Sequence, residues 1–532
     1  MTIAPERASR ATGALIADDA RARSGGARSR RAPLALLVAA LVSAAAAAIP
    51  LVYLFVRAAE AGLPTIIDTL TGTRVLQYAA NSLTLAAATT ASALVLGVAV
   101  AFVLTRVRVP FARSWLLISA LPLAVPSYLA GYGWLVGLPG LNGFVPSWIL
   151  LTAVTVPYVS LPVAAALRGA SGDLEGVART LGRGPWRAFL VATWPSVRPA
   201  AIAGSLLVAL YALSDFGLVA MMRYPTLTWG INAAYSASFD RAQAATLALL
   251  LVVLALVVVI GERTARRNVP RAAARAVAPR AVSRPVLLSL LPVVAVAPLV
   301  GVIVPLLGLL STLLDAETVR AIDGPRLLQA VVSTVGVAIA AAILAILLAL
   351  PIAALTARHR GRLVAAIESV GYLGHAVPGI VVGLSLVFFA LAVVPGLYQS
   401  IAVLVFAYAV LFMPKAIGTM RAGLGDVPPR LVAVARTLGH SPLQAWWRVT
   451  VPLALPSIGI GALLVAIATM KELPATLLLR PTGFQTLATE LWNRTVVFEF
   501  GAAAPYAALL VLVAAVPAVV LSGVRSAAKE EL

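Results

Sequence analysis

Apolar runs long enough to cross a lipid bilayer recur along the whole sequence. A membrane-spanning helix needs about 20 predominantly apolar residues, and twelve such segments follow one another here. The chain is 61% apolar and 11% charged, whereas soluble domains are about 45–50% apolar and about 25% charged. These values exclude a soluble enzyme and predict an all-α membrane protein. The predicted spans are 34–56, 77–104, 114–136, 147–167, 199–222, 243–261, 286–310, 329–356, 366–391, 399–420, 457–479 and 504–524.

The basic residues are distributed unequally between the two sides of this predicted bundle. With the N-terminus inside, 31 of the 41 Lys and Arg residues fall in the tails and in the even-numbered connections, and eight fall on the opposite side. Cytoplasmic loops of membrane proteins carry such an excess of positive charge. The pattern therefore predicts that both termini are cytoplasmic. It also accounts for the net charge of +21 without nucleic-acid binding.

Residues that commonly bind metals are few. The chain has no cysteine, which excludes disulfides and thiolate ligands. Its three histidines, His359, His375 and His440, are scattered and do not have the spacing of a metal site. We therefore predict neither a metal site nor a cofactor in this chain.

Three polar segments frame the spans. Residues 1–33 are predicted to be a disordered basic cytoplasmic N-tail, because seven Arg are spread over them and no cleavage site follows a short apolar stretch. Residues 263–285 are a basic cytoplasmic linker rich in Arg and Pro, and residues 525–532 are a short cytoplasmic C-tail. The linker divides the chain into two halves of six predicted spans.

The two halves repeat one another. Residues 177–182 and 434–439 both read VARTLG, 257 positions apart. Upstream, at a slightly shorter offset, Ala124-Val125-Pro126 matches Ala376-Val377-Pro378, and Ser82 matches Ser333. Both VARTLG copies lie between the fourth and fifth spans of their half. The halves are therefore predicted to be parallel repeats, related by an axis along the membrane normal.

Each VARTLG segment belongs to a short amphipathic pattern in a predicted cytoplasmic loop. Gly182 and Gly439 supply a helix stop in the two copies. One interpretation is a helix that lies on the membrane surface, but two copies with the same spacing favour a docking element for a two-fold partner. The apolar positions fall at i, i+3, i+4 and i+7; they are Leu174, Val177, Ala178 and Leu181, and Leu431, Val434, Ala435 and Leu438.

These loops resemble the EAA loops of type I ABC importer permeases, in which EAA-x3-G is followed by LP. Residues 173–199 and 431–456 carry the pattern. The glutamate of the motif falls at Gly176 and Ala433, so both halves lack it, although Glu175 lies one residue earlier in the first half.

The resemblance implies two transmembrane domains of this type. They cover 77–262 and 329–522, and they are preceded by helices at 34–56 and 286–310. In that family the loop holds a helix that fits a cleft of the ATPase subunit. The resemblance thus implies two ATPase copies and an extracytoplasmic solute-binding protein as partners. The implied coupling residues are Glu175, Ala178, Arg179, Gly182, Pro195, Ala435, Arg436, Gly439 and Pro452.

The sequence has no ATP-binding motif of the P-loop type. Such a loop needs Gly-Lys-Ser/Thr, and none of the three lysines, Lys415, Lys471 and Lys529, follows a glycine. We therefore expect ATP and Mg to be used by the partner ATPase. The chain itself is predicted to be a permease and not an enzyme.

A few polar residues fall within the spans, where charges are expensive and usually face a cavity. Asp215 and Glu472 occupy equivalent places in the two halves, and Lys471 adjoins Glu472. They are predicted to line the translocation path or its gate; alternatively, they pair with one another or extend to the interface as structural contacts. Three uncharged residues early in the second span of each half are further candidates, unless they only bond helix to helix: Asn81, Ser82 and Ser333.

Two stretches of sequence indicate which group of type I ABC importer permeases the chain resembles most. Residues 211–228 and 470–489 are similar to the fused permeases of ferric-iron importers. This implies iron(III) as the solute and a bacterial cytoplasmic membrane as the location. Thiamine, polyamines and phosphonates are the alternative solutes. The alternative from another class is a secondary transporter driven by an ion gradient, which has no need of two matching docking loops.

Overall fold

The computed structural model describes residues 32–170, 172–266, 279–315, 317–318 and 322–530. In these ranges the chain is helical, and the one strand-like pairing is a bridge between Val107 and Arg280. Three expectations lie wholly or partly outside the described residues: the N-tail up to residue 31, the linker from 267 to 278, and the last two residues of the C-tail.

Apart from the short helix α2, the helices follow the same order before and after the linker. In the first half the helices are α1 (Leu34–Ala61), α2 (Leu63–Thr71), α3 (Thr73–Arg106), α4 (Ala112–Ala120), α5 (Ser127–Gly137), α6 (Phe144–Gly169), α7 (Gly172–Thr180), α8 (Pro185–Ser214), α9 (Gly217–Met221), α10 (Leu227–Ser236) and α11 (Arg241–Arg266). In the second half they are α12 (Arg284–Leu313), α13 (Gly324–Arg358), α14 (Arg362–Gly371), α15 (Gly379–Val393), α16 (Ile401–Asp426), α17 (Pro429–Thr437), α18 (Pro442–Met470), α19 (Pro474–Leu479), α20 (Leu487–Val496) and α21 (Phe500–Glu530).

Ten of the described helices are long and apolar enough to cross a membrane. They fall five in each half and correspond to ten of the twelve predicted spans. The prediction of an all-α membrane protein built from two repeats is confirmed. The spanning helices are α1, α3, α6, α8, α11, α12, α13, α16, α18 and α21.

The remaining two predicted spans, 114–136 and 366–391, are not continuous helices, so this part of the prediction is wrong. The first is broken between Leu123 and Ser127, where the chain bends by 92°. The second is broken at the equivalent place, before α15. Both breaks fall on the repeated Ala-Val-Pro, where Pro126 and Pro378 have extended backbones. Proline has no N–H and disfavours helical geometry in the residue before it.

The fifth and eleventh predicted spans begin earlier and end earlier than expected. Helices α8 and α18 start before Pro195 and Pro452, so these prolines lie inside helices and not between a loop and a span. A π-turn precedes each proline, at Phe189–Thr193 and Trp446–Thr450. A wider turn is a common adjustment where the regular hydrogen bonding of a helix is interrupted.

The first spanning helix of each half packs against the other half. In α1, the ring of Tyr53 lies 5.5 Å from that of Phe389 in α15, and Ala40 is buried among residues of the second half. In α12, the carbonyl of Val300 accepts a hydrogen bond of 2.9 Å from Trp134 Nε1 in α5. The two halves are thus interlocked, and neither predicted domain buries its surface without a helix from the other.

Candidate translocation cavity and coupling helices

Asp215 lies where α8 ends and the short helix α9 begins. Its Oδ1 accepts hydrogen bonds from the backbone N–H of Leu218 at 3.1 Å and of Val219 at 3.3 Å. Its Oδ2 accepts a hydrogen bond from Ser127 Oγ, at the break between α4 and α5. The carboxylate is buried. It therefore caps α9 and ties this helix to the broken span.

Glu472 has the same role in the second half. Its Oε1 accepts from the N–H of Ala475 at 3.1 Å, and its Oε2 accepts from the N–H and the hydroxyl of Thr476 at 3.2 and 3.0 Å. The equivalence of Asp215 and Glu472 in sequence is thus reproduced as two buried caps on α9 and α19. Neither carboxylate forms an ion pair with a lysine among the described residues, so the alternative of mutual pairing is wrong.

Lys471 connects the two halves. Its Nζ donates to the carbonyls of Leu123 at 3.2 Å and of Ala124 at 3.4 Å, at the break in the first half. Its own carbonyl accepts from Tyr128 Oη at 3.3 Å. Since the acceptors are uncharged, these bonds hold the ammonium group without neutralising it.

These residues surround a cavity of about 670 Å³ at the junction of the halves. Both broken spans and the starts of α9 and α19 contribute to its wall. Asp215, Glu472 and Lys471 all line this cavity. Lys415 on α16 lines it as well. Its place in the cavity was not predicted, although a lysine within an apolar span usually faces a cavity.

The uncharged candidates lie elsewhere and make contacts between helices. Asn81 Nδ2 donates to the carbonyl of Pro225 at 2.8 Å, and Ser82 Oγ accepts from the N–H of Leu227 at 2.8 Å. Thr334 Oγ1 makes the same contact in the second half, with the N–H of Leu487 at 2.9 Å. The counterpart of Ser82 is therefore Thr334 and not Ser333, because the offset is 252, as it is for Ala-Val-Pro.

The VARTLG segments form the helices α7 and α17, and both end at a glycine with positive φ. The φ angles of Gly182 and Gly439 are 80° and 89°. The N–H of each following residue reaches back to the carbonyl of Ala178 or Ala435, at 3.2 and 3.1 Å. This closing pattern needs the left-handed backbone that glycine adopts most readily.

The apolar faces of α7 and α17 are turned away from the rest of the chain. Ala178 and Ala435 are buried, but the larger residues of the stripe are exposed. The exposed fractions agree for two of the three pairs, at 56% and 55% for Val177 and Val434 and at 76% and 75% for Leu181 and Leu438. They differ for the third pair, at 59% for Leu174 and 40% for Leu431. Arg179 and Arg436 are exposed beside them. Each half thus presents one unpartnered apolar face.

Glu175 fixes α7 to the bundle. Its Oε2 lies 3.6 Å from Arg106 Nη2, at the end of α3, and accepts a hydrogen bond of 3.1 Å from Thr193 Oγ1. The corresponding residues of the second half are Val432, Arg358 and Thr450. Valine replaces the glutamate, and Thr450 Oγ1 has no hydrogen-bond partner within the part of the chain that the structure describes.

A fold with two interlocked parallel repeats, broken spans around a central cavity and two matching exposed helices defines a membrane permease. The sequence profile described as "Binding-protein-dependent transport system inner membrane component" matches residues 349–526. The Fe(3+)-transport system permease protein FbpB 2 of Haemophilus influenzae is 30% identical over 503 residues, which are 92% of this chain and 98% of that protein.

Other relatives align with part of the chain. The molybdenum transport system permease protein ModB of Mycobacterium bovis is 30% identical over 42% of this chain and 88% of its own length. The putrescine transport system permease protein PotI of Escherichia coli is 29% identical over 28% of this chain and 56% of its own length. The chain belongs to the family of binding-protein-dependent transport system inner membrane components. It is an integral inner-membrane permease of an ABC importer, as the sequence predicted.

Proposed function

We propose that this permease imports iron(III), which an extracytoplasmic binding protein delivers. The observation that carries this proposal is the similarity to an Fe(3+) permease along nearly the whole of both chains. The molybdenum and putrescine permeases align with less than half of this chain. Iron is cargo here and not a resident cofactor. Among the described residues no group of three or more His, Asp or Glu is arranged to hold a metal.

The solute crosses through the cavity at the junction of the halves. The cavity is lined by the two broken spans and by the starts of α9 and α19, so a relative movement of the halves would change its access to either side. Asp215 and Glu472 hold these elements in place as caps. In this proposal the carboxylates are positioning residues, and Lys471 holds the two halves together at the cavity wall.

Two copies of the ATPase dock to α7 and α17. The support for this stoichiometry is the presence of two matching exposed apolar faces, each ending at a glycine with positive φ. A surface helix whose large apolar residues are exposed is typical of an interaction site. ATP and Mg are bound by those ATPase subunits, and this chain contributes no catalytic residue.

The termini, α7, α17 and the linker lie on the cytoplasmic side. The support is the excess of basic residues in these segments. Because the chain has no cysteine, single cysteines report their side of the membrane cleanly. Arg223 is one of the eight basic residues that the charge pattern places on the outer side, and His440 lies on the cytoplasmic side. In intact cells, a membrane-impermeant thiol reagent should therefore label Arg223→Cys and leave His440→Cys unlabelled. Labelling of His440→Cys from outside would reverse this orientation.

Uptake of radioactive iron tests the proposed solute. Cells that lack the gene should take up less iron(III) and should grow more slowly when iron is limiting, and a plasmid copy should restore both. The matched control is uptake of molybdate and putrescine in the same cells. Normal iron uptake together with a loss of thiamine, polyamine, phosphonate or molybdate uptake would overturn the assignment of iron.

A further inference from the structure

The central cavity contains two ammonium groups, and both come from the second half. Lys415 lies on α16 and Lys471 follows α18. The first-half residues at the same offset of 257 are Tyr158 and Ser214, which also line the cavity. The halves therefore agree in their carboxylates and differ in their cations. The two lysines are therefore found in the second half alone and are not explained by the internal repeat.

Both carboxylates of the cavity already accept hydrogen bonds from donors of the protein. Asp215 and Glu472 each accept hydrogen bonds from two backbone N–H groups at the start of a helix, and each accepts one more from a hydroxyl. The N–H groups at a helix start carry partial positive charge and stabilise a carboxylate. The oxygens of both carboxylates are therefore engaged by these donors, and neither carboxylate forms an ion pair with a lysine among the described residues.

The ammonium group of Lys415 has no hydrogen bond or ion pair with any described residue. Its Nζ lies 5.6 Å from the ring centroid of Phe412, and the residue lines the cavity. Lys471 is bonded only to carbonyl oxygens. An ammonium group inside a membrane protein is expensive without a counter-charge. The missing counter-charge is therefore expected to come from what occupies the cavity.

We propose that the transported solute is bound in this cavity through anionic oxygen atoms, with Lys415 as their direct contact. Tyr158 and Tyr211 in the wall supply hydroxyl groups that suit the same oxygens. This inference rests on the proposed function in one respect: for iron(III) it means that the ion crosses as a complex with an oxyanion. The two ammonium groups would repel a bare trivalent cation in a medium of low dielectric constant, and the oxygens of Asp215 and Glu472 in the same wall are already engaged by protein donors.

Substitution of Lys415 tests the contact in the complete transporter. The permease and its ATPase are reconstituted in proteoliposomes with the loaded binding protein, and uptake of radioactive iron and ATP hydrolysis are measured together. Lys415→Met should lower uptake by roughly tenfold or more, because a bond to a charged group is lost. Lys415→Arg should retain most of the uptake, and Lys415→Glu should abolish it. The control Arg421→Met removes a charge from the same helix outside the cavity, where Arg421 pairs with Glu368, and it should transport normally. Wild-type uptake by Lys415→Met or Lys415→Glu would overturn the inference.

A second measurement uses the unchanged protein, so it does not depend on the folding of any variant. Wild-type proteoliposomes receive radioactive iron with either labelled citrate or labelled phosphate. Entry of iron with one of these anions at a fixed ratio supports the inference and identifies the anion. Entry of iron without either label overturns it and leaves the proposed function intact. If no iron enters, the proposed function fails; the inference is then tested with molybdate, whose uptake must depend on Lys415.

Discussion

The two coupling regions share their backbone and differ in how they are attached. Helices α7 and α17 carry the same VARTLG segment, end at glycines with φ of 80° and 89°, and expose the same apolar face. In the first half, Glu175 connects α7 to Arg106 and Thr193. In the second half, Val432 stands at the place of the glutamate, and Thr450 Oγ1 finds no hydrogen-bond partner among the described residues.

This difference shows that the shape of the helix and its attachment to the spans depend on different residues of the same motif. The shape of the proposed docking helix is set by its apolar spacing and its terminal glycine, which both halves keep. Among the described residues, buried polar groups connect this helix to the spans in the first half and not in the second. We therefore expect changes in shape to affect both halves alike, and changes in attachment to affect the first half more.

The largest effect is expected from valine at both terminal glycines. The left-handed backbone costs a residue with a side chain about 1–2 kcal/mol, and a β-branched residue is among the least suited to it. A Cβ would meet no other atom within 4 Å at Gly182 or Gly439, so crowding adds nothing. We expect the double variant Gly182→Val/Gly439→Val to lose about tenfold or more in ATP-driven uptake while it remains inserted.

Asparagine at the same two positions is the control for this variant, because it tolerates the left-handed region. Either single valine variant should lose less, since one docking site is left intact. Undiminished uptake in a well-inserted double valine variant would contradict docking through these helices.

A smaller loss is expected when the first half is given the residue of the second. Glu175→Val leaves the buried guanidinium of Arg106 without its ion pair, and we expect the complex to lose about 1–3 kcal/mol of stability. The measurement is the thermal unfolding of the purified permease–ATPase complex. Adding Arg106→Met should recover most of the loss. Strictly additive losses would show that the two side chains are not coupled.

The two threonines provide a matched pair. Thr193→Val removes a hydrogen bond to a carboxylate and should cost about 1–2 kcal/mol. Thr450→Val removes a buried hydroxyl that has no partner, so the stability should be unchanged or slightly higher. Both are read from the same unfolding curves. Equal losses in the two variants would mean that the attachment is symmetric after all.

The smallest effect is expected from adding the missing carboxylate. Val432→Glu places it in the second half at the position of Glu175. Arg358, the second-half counterpart of Arg106, is exposed. An ion pair between the new glutamate and Arg358 should therefore stabilise the complex by about 0–1 kcal/mol. A loss of more than about 2 kcal/mol would show that the carboxylate is buried without its pair.

Much of this architecture could be predicted from the sequence. The length of each apolar run and the unequal distribution of basic residues are properties of whole segments, so they do not depend on the contacts of single side chains. The break in each of two spans was missed, although the repeated Ala-Val-Pro was visible. An apolar run longer than 20 residues satisfies the length criterion whether or not a proline interrupts it. The interlocking of α1 with the second half depends on packing across the halves, which the order of segments does not reveal.

The candidate site was predicted by position more than by role. Asp215 and Glu472 do line the cavity, but the turn geometry that makes them caps appears only in three dimensions. Lys415 was overlooked because its counterpart in the repeat is uncharged, so the comparison of halves gave it no emphasis. Thr334 was missed because Ser82 was aligned with Ser333, which is one residue short of its structural counterpart.

Crosslinking from the two docking helices tests the central claim most directly. Arg179→Cys and Arg436→Cys place single thiols on exposed positions of α7 and α17 in a chain that has no other cysteine. With a thiol-specific photocrosslinker in the assembled transporter, each variant should capture one ATPase subunit, and the double variant should capture two. Capture from only one helix, or from neither in a complex that still hydrolyses ATP, would contradict a permease with two docking sites.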